Sequence, residues 1–142
     1  SLTVPRTARY AAFGPEPAHA SEWWIVIHGY GQLAADFLAQ CRGLHDGRRL
    51  VVAPEALSRY YEPGSATSPA EAKVGASWMT REDRLHEISD YLRYLDLLVE
   101  TLAEGLRALP PTCWAFRRAR PRRHAGWPLA ACRPLASSAG AA

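Results

Sequence analysis

The feature that most constrains this fold is a short apolar run, Trp23–Ile27, that leads directly into a turn containing two glycines. A run with no polar position is typical of a strand buried on both faces of a parallel sheet, because a half-exposed strand would alternate. The following residues, His28-Gly29-Tyr30-Gly31, predict a sharp turn at the carboxyl end of that strand. Ligand sites of such sheets lie beyond the carboxyl ends of the strands, so this turn is the first place to look for a site.

The segments that follow predict βαβα winding. A helical stripe begins at Leu33 and ends near Gly43 and Gly47, a second buried strand covers Leu50–Ala53, and residues 62–76 have the composition of a surface loop. Thr80 followed by Asp83 resembles a capping box that starts a long amphipathic helix, which Pro110 ends. Its apolar positions recur in steps of three and four, at Leu85, Ile88, Leu92, Leu95, Val99, Leu102, Leu106 and Leu109. The sequence thus predicts an α/β fold, a parallel sheet with flanking helices.

The composition changes abruptly near residue 112. Residues 1–112 carry 14 acidic and 11 basic side chains, whereas residues 113–142 carry six arginines and no acidic residue. Apolar residues of this tail follow neither a helical nor a strand period. We therefore expect a partial domain over residues 1–112 and an irregular Arg/Ala/Pro-rich tail over residues 113–142, either disordered or frame-shifted.

The overall composition excludes several classes of protein. Apolar residues make up 48% of the chain, which argues against bulk disorder, and no apolar run approaches the roughly 20 residues of a membrane span. Three cysteines, Cys41, Cys113 and Cys132, form no metal-ligand spacing and no even disulfide framework, which predicts a cytoplasmic location. The sequence contains no phosphate-binding loop and no metal-binding motif, so we expect no cofactor and no metal.

Within residues 1–112, few side chains have the sequence surroundings that are typical of catalytic groups. His28 follows a buried strand, where a histidine is more often a structural residue than a general base. The backbone N–H groups of the glycine turn could form an oxyanion hole, and Trp78 and Met79 could line an apolar pocket or simply fill the core. No serine has the Gly-x-Ser-x-Gly surroundings of a nucleophile elbow, since Ser77 has Met79 where the second glycine is needed. The sequence therefore predicts no catalytic residue.

Four segments together resemble the bacterial phospholipase/carboxylesterase branch of the α/β-hydrolases. They are residues 4–10, 27–32, 52–59 and 75–84, and the resemblance covers about residues 4–109. It implies a serine esterase acting on a small acyl ester, with the N–H of Tyr30 in the oxyanion hole, with His28, Gly29 and Gly31 in the oxyanion turn, and with Trp78 and Met79 lining the substrate pocket. It also implies that a strand, a Gly-Phe-Ser-Gln-Gly elbow and later an aspartate and a histidine come next. The chain departs from the family at that point.

A frame shift explains the departure. Residues 113–119 can be encoded by TGC TGG GCT TTT CGC AGG GCG, which one base earlier reads x-Leu-Gly-Phe-Ser-Gln-Gly. The genetic code forces the leucine and first glycine of that reading and permits the other residues. On this hypothesis the chain is the N-terminal half of an α/β-hydrolase-type sheet, inactive because the serine, aspartate and histidine are missing. We also expect the edge of the Trp23–Ile27 strand to lie open, which favours aggregation.

The alternative is a basic-tailed nucleic-acid-binding or interaction protein. The tail interleaves arginines with aromatic residues, as proteins that bind single-stranded nucleic acids do. The residues concerned are Arg117, Arg118, Arg120, Arg122, Arg123, Trp114, Phe116 and Trp127. Arginine without lysine, together with abundant alanine, fits out-of-frame translation of GC-rich DNA better, so we expect no specific nucleic-acid partner.

Overall fold

The Trp23–Ile27 run lies in the middle of a mixed five-stranded sheet. The computed structural model describes residues 1–107, 109, 111–115 and 133–134. The strands of the sheet are β1 (Tyr10–Phe13), β2 (Glu22–Ile27), β3 (Arg49–Pro54), β6 (Thr112–Ala115) and β7 (Arg133–Pro134), while β4 (Ser58–Tyr61) and β5 (Val74–Ser77) pair separately. The strand order within the described residues is β1-β3-β2-β6-β7. Strands β3 and β6 both run parallel to β2, one on each side of it. Strand β1 is antiparallel to β3, so the sheet is mixed where the sequence predicted a parallel one.

Helices cover both faces of β2, which explains why the strand has no polar position after Glu22. Helix α1 (Ala34–Gln40) shares a buried cluster with Trp24 and Val26. On the other face, helix α2 (Arg84–Ala103) packs with Trp23, Ile25 and Ile27. The predicted strands and helices at these positions are confirmed, and with them the α/β class.

Helix α2 is shorter than its apolar stripe predicts. It ends at Ala103, so Leu106 and Leu109 pack in the chain beyond it, and Leu85 in its first turn is 81% exposed. The predicted capping box is wrong, because Asp83 occupies the N-cap position without a side-chain capping bond. Instead, both the N–H and the hydroxyl of Thr80 donate to the carboxylate of Glu87 at 2.7 and 3.3 Å.

Part of the predicted surface loop is a strand. Residues 74–77 form β5, which pairs antiparallel with β4 and also bridges Gln32 through Ala76. Three residues of β5 are buried, since the segment lies between β4 and the chain that leaves β2. Small residues such as Gly75 and Ala76 gave this segment the composition of a loop, although they are what close packing there requires.

Strand β6 crosses the predicted composition boundary. Thr112–Ala115 pairs in parallel with Trp24–Ile27, so the predicted open edge of β2 is wrong. The tail is therefore not irregular from its first residue, and residues 133–134 pair with β6 as well. The rest of the predicted tail, including the arginines of residues 117–123, lies outside the described residues.

The described chain contains no helix long and apolar enough to cross a membrane. Cys113 is disulfide-bonded, which the odd number of cysteines did not predict. Cys41 is a free, buried thiol whose pKa is raised by burial.

Candidate functional site

The direction of winding changes at β2, and this places a candidate site at its carboxyl end. The strand that follows β2 in the chain, β3, lies on one side of it, whereas β6 lies on the other. In open α/β sheets, ligands bind in the crevice beside such a switch point. Residues His28–Gly31 follow β2 at this position, and Ala115 at the end of β6 lies opposite Ile27. The predicted turn and the carboxyl end of β6 therefore adjoin each other.

The turn itself is a β-turn that requires glycine. The N–H of Gln32 donates to the carbonyl of Gly29 at 3.3 Å, and Gly31 has φ of 81°, as the third residue of a type II turn requires. The side-chain oxygen of Gln32 accepts a hydrogen bond from the Gly29 N–H at 2.7 Å and closes the turn a second time. Among the described residues, none accepts a hydrogen bond from the N–H of Tyr30. That N–H is therefore the one backbone donor of the turn that is left for a ligand within this part of the chain.

Strand β5 fastens the turn from outside the main sheet. The N–H of Gly31 donates to the Ala76 carbonyl at 2.9 Å, and the Ala76 N–H donates to the Gln32 carbonyl at 3.3 Å. A Cβ atom at Gly75 would stand 2.8 Å from the Gly31 oxygen and 2.9 Å from its Cα, so only glycine permits this approach. The two segments that the sequence analysis selected, 28–31 and 78–79, are brought together by this contact.

Trp78 links the turn to helix α2. Its indole N–H donates to the His28 carbonyl at 2.9 Å, and its ring lies 5.1 Å from the imidazole. On its other sides it contacts Tyr91 and Tyr94, with ring centroids 5.9 and 6.5 Å away. Trp78 and Met79 are half-buried and pack against the core cluster beneath helix α2. They pack against the core, and Trp78 also contacts the turn through His28.

His28 is a buried structural residue in this arrangement. Its Nδ1 donates to the carbonyl of Gly29 at 2.8 Å, because a carbonyl can only accept, and its Nε2 accepts from the Ala56 N–H at 3.0 Å. Burial lowers the pKa of His28 below its usual range, although the hydrogen bond to Gly29 and the charge of Glu55 act in the opposite direction. Both ring nitrogens are occupied, so His28 joins the turn after β2 to the backbone at Ala56.

A buried carboxylate beside the site was not singled out by sequence reasoning. Glu55, 2% exposed, accepts from the Arg9 guanidinium, from Arg59 Nη1 at 3.1 Å and from the Ala34 N–H at 3.2 Å. Burial raises the pKa of this carboxyl, but the bonds from Arg9, Ala34 and Arg59 outweigh it and hold the pKa below its ordinary value. The only signal in the sequence was a glutamate placed after a buried strand. Its two arginines lie 46 positions before it and 4 after it.

Nucleophiles and metal ligands are not assembled in the described part of the chain. The hydroxyl of Ser77 is buried and donates to the Met79 carbonyl at 3.0 Å. No group of three or more His, Cys, Asp or Glu side chains that could hold a metal ion occurs among the residues described. The described residues of the site therefore offer the Tyr30 N–H as a backbone donor, together with aromatic surface.

Comparison with known proteins supports the fold. No family model and no curated protein matches the sequence. Among solved structures, the chain is similar to the crystal structure of esterase PE8, with a TM-score of 0.52 and 20% sequence identity over 78% of this chain. The match covers 53% of that esterase, so the chain spans about half the length of its structural neighbour. At this identity the likeness shows an esterase-like α/β fold and no more.

Proposed function

We propose that this chain is the N-terminal part of a serine esterase of the α/β-hydrolase type, from the bacterial phospholipase/carboxylesterase branch, that hydrolyses small acyl esters when complete. In it, the Tyr30 N–H is an oxyanion donor, the turn of His28, Gly29 and Gly31 positions that donor, and Trp78 and Met79 border the acyl group. The similarity to esterase PE8 and the resemblance of residues 4–109 support this assignment. The cytoplasmic location stays a prediction.

The observation that carries the proposal is the parallel pairing of β2 with β6 at a switch point. A nucleophile elbow follows a strand of the parallel sheet, and its serine must lie close to the oxyanion donors. Because Ala115 is opposite Ile27, a nucleophile directly after β6 would adjoin the His28–Gly31 turn. Strand β6 ends at Ala115, and the codons of the next two residues, Phe116 and Arg117, permit a serine in the shifted frame.

We propose that the 142-residue chain has lost its activity through this shift of frame. Backbone donors without a nucleophile and base retain at most a residual rate, about 10³–10⁴-fold over water in an enzyme that is otherwise intact. That residual rate requires a fully formed site, which a chain spanning about half of the fold does not provide, so the chain should hydrolyse short acyl esters at a rate indistinguishable from buffer.

The decisive test is to sequence the coding DNA from the Leu106 codon onward and to translate all three frames. The proposal predicts that another frame continues into Gly-x-Ser-x-Gly with a later aspartate and histidine. The gene restored to that frame should then encode an active esterase. If every other frame is closed by stop codons, the assignment of this chain to a broken esterase fails.

The restored enzyme also tests the role of Tyr30. Proline is favoured at the second position of a type II turn, so Tyr30→Pro removes the N–H and keeps the turn. We expect kcat on a short acyl ester to fall by about 10²–10³-fold, as for the loss of one oxyanion donor. Tyr30→Ala, which keeps the N–H, is the matched control and should retain most of kcat. Equal losses of kcat in the two variants would show that the Tyr30 N–H is not an oxyanion donor.

A further inference from the structure

Two tyrosine rings lie directly beside the candidate oxyanion turn. Tyr30, the residue that carries the N–H donor, stacks on Tyr60 of β4 with a centroid distance of 5.5 Å and an interplanar angle of 28°. Tyr30 is 66% exposed, so its ring contributes little to the core. Tyr60 lies against one side of the Tyr30 ring, and the exposed part of the ring is accessible to a ligand.

The position of Tyr60 is fixed by the same glycines that hold the turn. Tyr60 stands opposite Gly75 in the register of β4 and β5, where no side chain competes for space. Its hydroxyl oxygen is 3.2 Å from the point where a Cβ on Gly31 would stand, so it passes over the turn. The ring pair is therefore built onto the backbone of the turn and does not depend on a mobile loop.

The chemistry of the pair suits a neutral, planar ligand. Burial, together with a hydrogen bond to Tyr30, raises the pKa of Tyr60 to about 12, so its hydroxyl is uncharged at neutral pH. Aromatic rings favour offset stacking with other planar rings, an interaction that a saturated ring of the same size cannot make.

We propose that Tyr30 and Tyr60 form an aromatic platform that selects esters carrying a planar aromatic group. The inference rests on the proposed function, because the platform acts on a substrate whose carbonyl oxygen accepts from the Tyr30 N–H. Since the donor and the exposed ring belong to one residue, a ring close to the ester group can stack on Tyr30 while the carbonyl is bound. Tyr30 and Tyr60 are specificity-determining residues in this arrangement.

The test is a binding experiment with the 142-residue chain, which needs no turnover. The isotope-labelled protein is titrated with 1-naphthyl acetate and, separately, with decahydro-1-naphthyl acetate, its saturated counterpart, and the amide signals of Gly29 and Gly31 are followed by NMR. The platform predicts that the naphthyl ester binds about three- to tenfold more tightly. Tyr30→Leu should abolish this preference. Tyr61→Leu, at a 60% exposed tyrosine that is next to Tyr60 in β4, is the matched control and should leave it unchanged.

The possible failures distinguish the two proposals. If both esters shift the glycine signals with equal affinity, or if Tyr30→Leu keeps the preference, the platform is overturned and the ester site stands. If neither ester shifts these signals, the ester site and the platform fall together. Tyr60→Phe keeps the supporting ring without its hydroxyl and should retain the preference. A loss of the preference in this variant would show that the ring of Tyr60 is not what supports Tyr30.

Discussion

At the scale of single residues, two buried polar side chains hold the site together. His28 connects the turn after β2 to the backbone at Ala56, and Glu55 connects Arg9, Ala34 and Arg59. A sequence can place a histidine or a glutamate at the end of a buried strand, as it did here for His28. It cannot show which backbone N–H groups or distant arginines will meet that side chain, since those partners are set by tertiary packing. Glu55 was missed for this reason.

Glu55→Gln should destabilise the fold. The substitution keeps the shape of the side chain but leaves two guanidinium groups without their counter-charge. Arg9 and Arg59 are partly exposed, with side chains 58% and 38% accessible, so water compensates part of the loss. We expect a decrease of about 2 kcal/mol in the free energy of unfolding, measured by urea denaturation. Glu71→Gln, at an exposed glutamate, is the control and should change it by less than about 0.5 kcal/mol. A similarly small effect at Glu55 would show that the cluster is dispensable.

His28 predicts a pH dependence of stability. Its pKa is lowered in the folded protein, so below the ordinary value of 6.5 the unfolded chain binds the proton more readily. The stability that neutral His28 contributes is fully present above pH 6.5. It is lost as the pH falls from 6.5 toward the pKa of His28 in the folded protein. Comparing urea unfolding at about pH 7.5 and about pH 5.5, we expect a loss of stability in the wild-type chain of at most about 1.4 kcal/mol, the limit for one group that titrates over one pH unit.

Two variants separate this effect from general acid sensitivity. His28→Asn removes the titrating group and should reduce the loss between these two pH values, whatever its effect on stability at neutral pH. His19→Asn, at an exposed histidine, should behave as wild type. If His28→Asn shows the full wild-type loss, the titration belongs to another group.

At the scale of elements, the sequence predicted the helices and strands whose apolar residues recur at the regular spacing of a buried face. Strands β2 and β3 are continuous apolar runs because helices cover both faces, and α2 has a long stripe because one face meets the sheet. Strand β5 was predicted as part of a loop because it packs closely against the turn after β2. That packing requires small residues, Gly75 and Ala76, which leave no apolar pattern. Strand β1, antiparallel at the edge, is only four residues long and alternates between exposed and half-buried positions, which is a weak signal.

Gly75→Ala tests the contact between β5 and the turn. The added Cβ would overlap the Gly31 carbonyl, and both partners are backbone, so neither can move without breaking hydrogen bonds. We expect a destabilisation of about 1–3 kcal/mol in thermal or urea unfolding, together with altered NMR signals of residues 29–32. Gly43→Ala is the control, since a Cβ there meets nothing within 4 Å, and it should not lower the stability. Equal stability of the two variants would mean that β5 does not pack on the turn as described.

At the scale of the whole molecule, β6 decides whether the central strand is protected. The sequence analysis expected a chain with an open β2 edge, because the tail was treated as irregular from residue 113. Three residues of that region, 113–115, pair with β2 all the same, since parallel pairing uses backbone groups and requires little of the side chains. A composition break marks where the encoded pattern changes and does not mark where the sheet must stop.

Removing the tail should therefore expose what β6 covers. A chain ending at residue 111 leaves the backbone groups of Trp24–Ile27 unpaired on one side, and such edges promote aggregation. We expect the shortened chain to aggregate at concentrations at which the 142-residue chain elutes as a single species in size-exclusion chromatography. Equal behaviour of the two chains would show that β6 contributes little to protection of the edge.

The pairing of β2 with one strand that follows it closely, β3, and with one that comes much later in the sequence, β6, also affects how the protein is made. During synthesis, β1, α1 and β3 leave the ribosome early and can assemble around β2, since all of them lie within residues 10–54. The partner on the other side is translated only after α2, so a half-covered β2 persists while that helix emerges. Chaperone capture of the nascent chain should be strongest in this interval and should decline once residue 115 has left the exit tunnel.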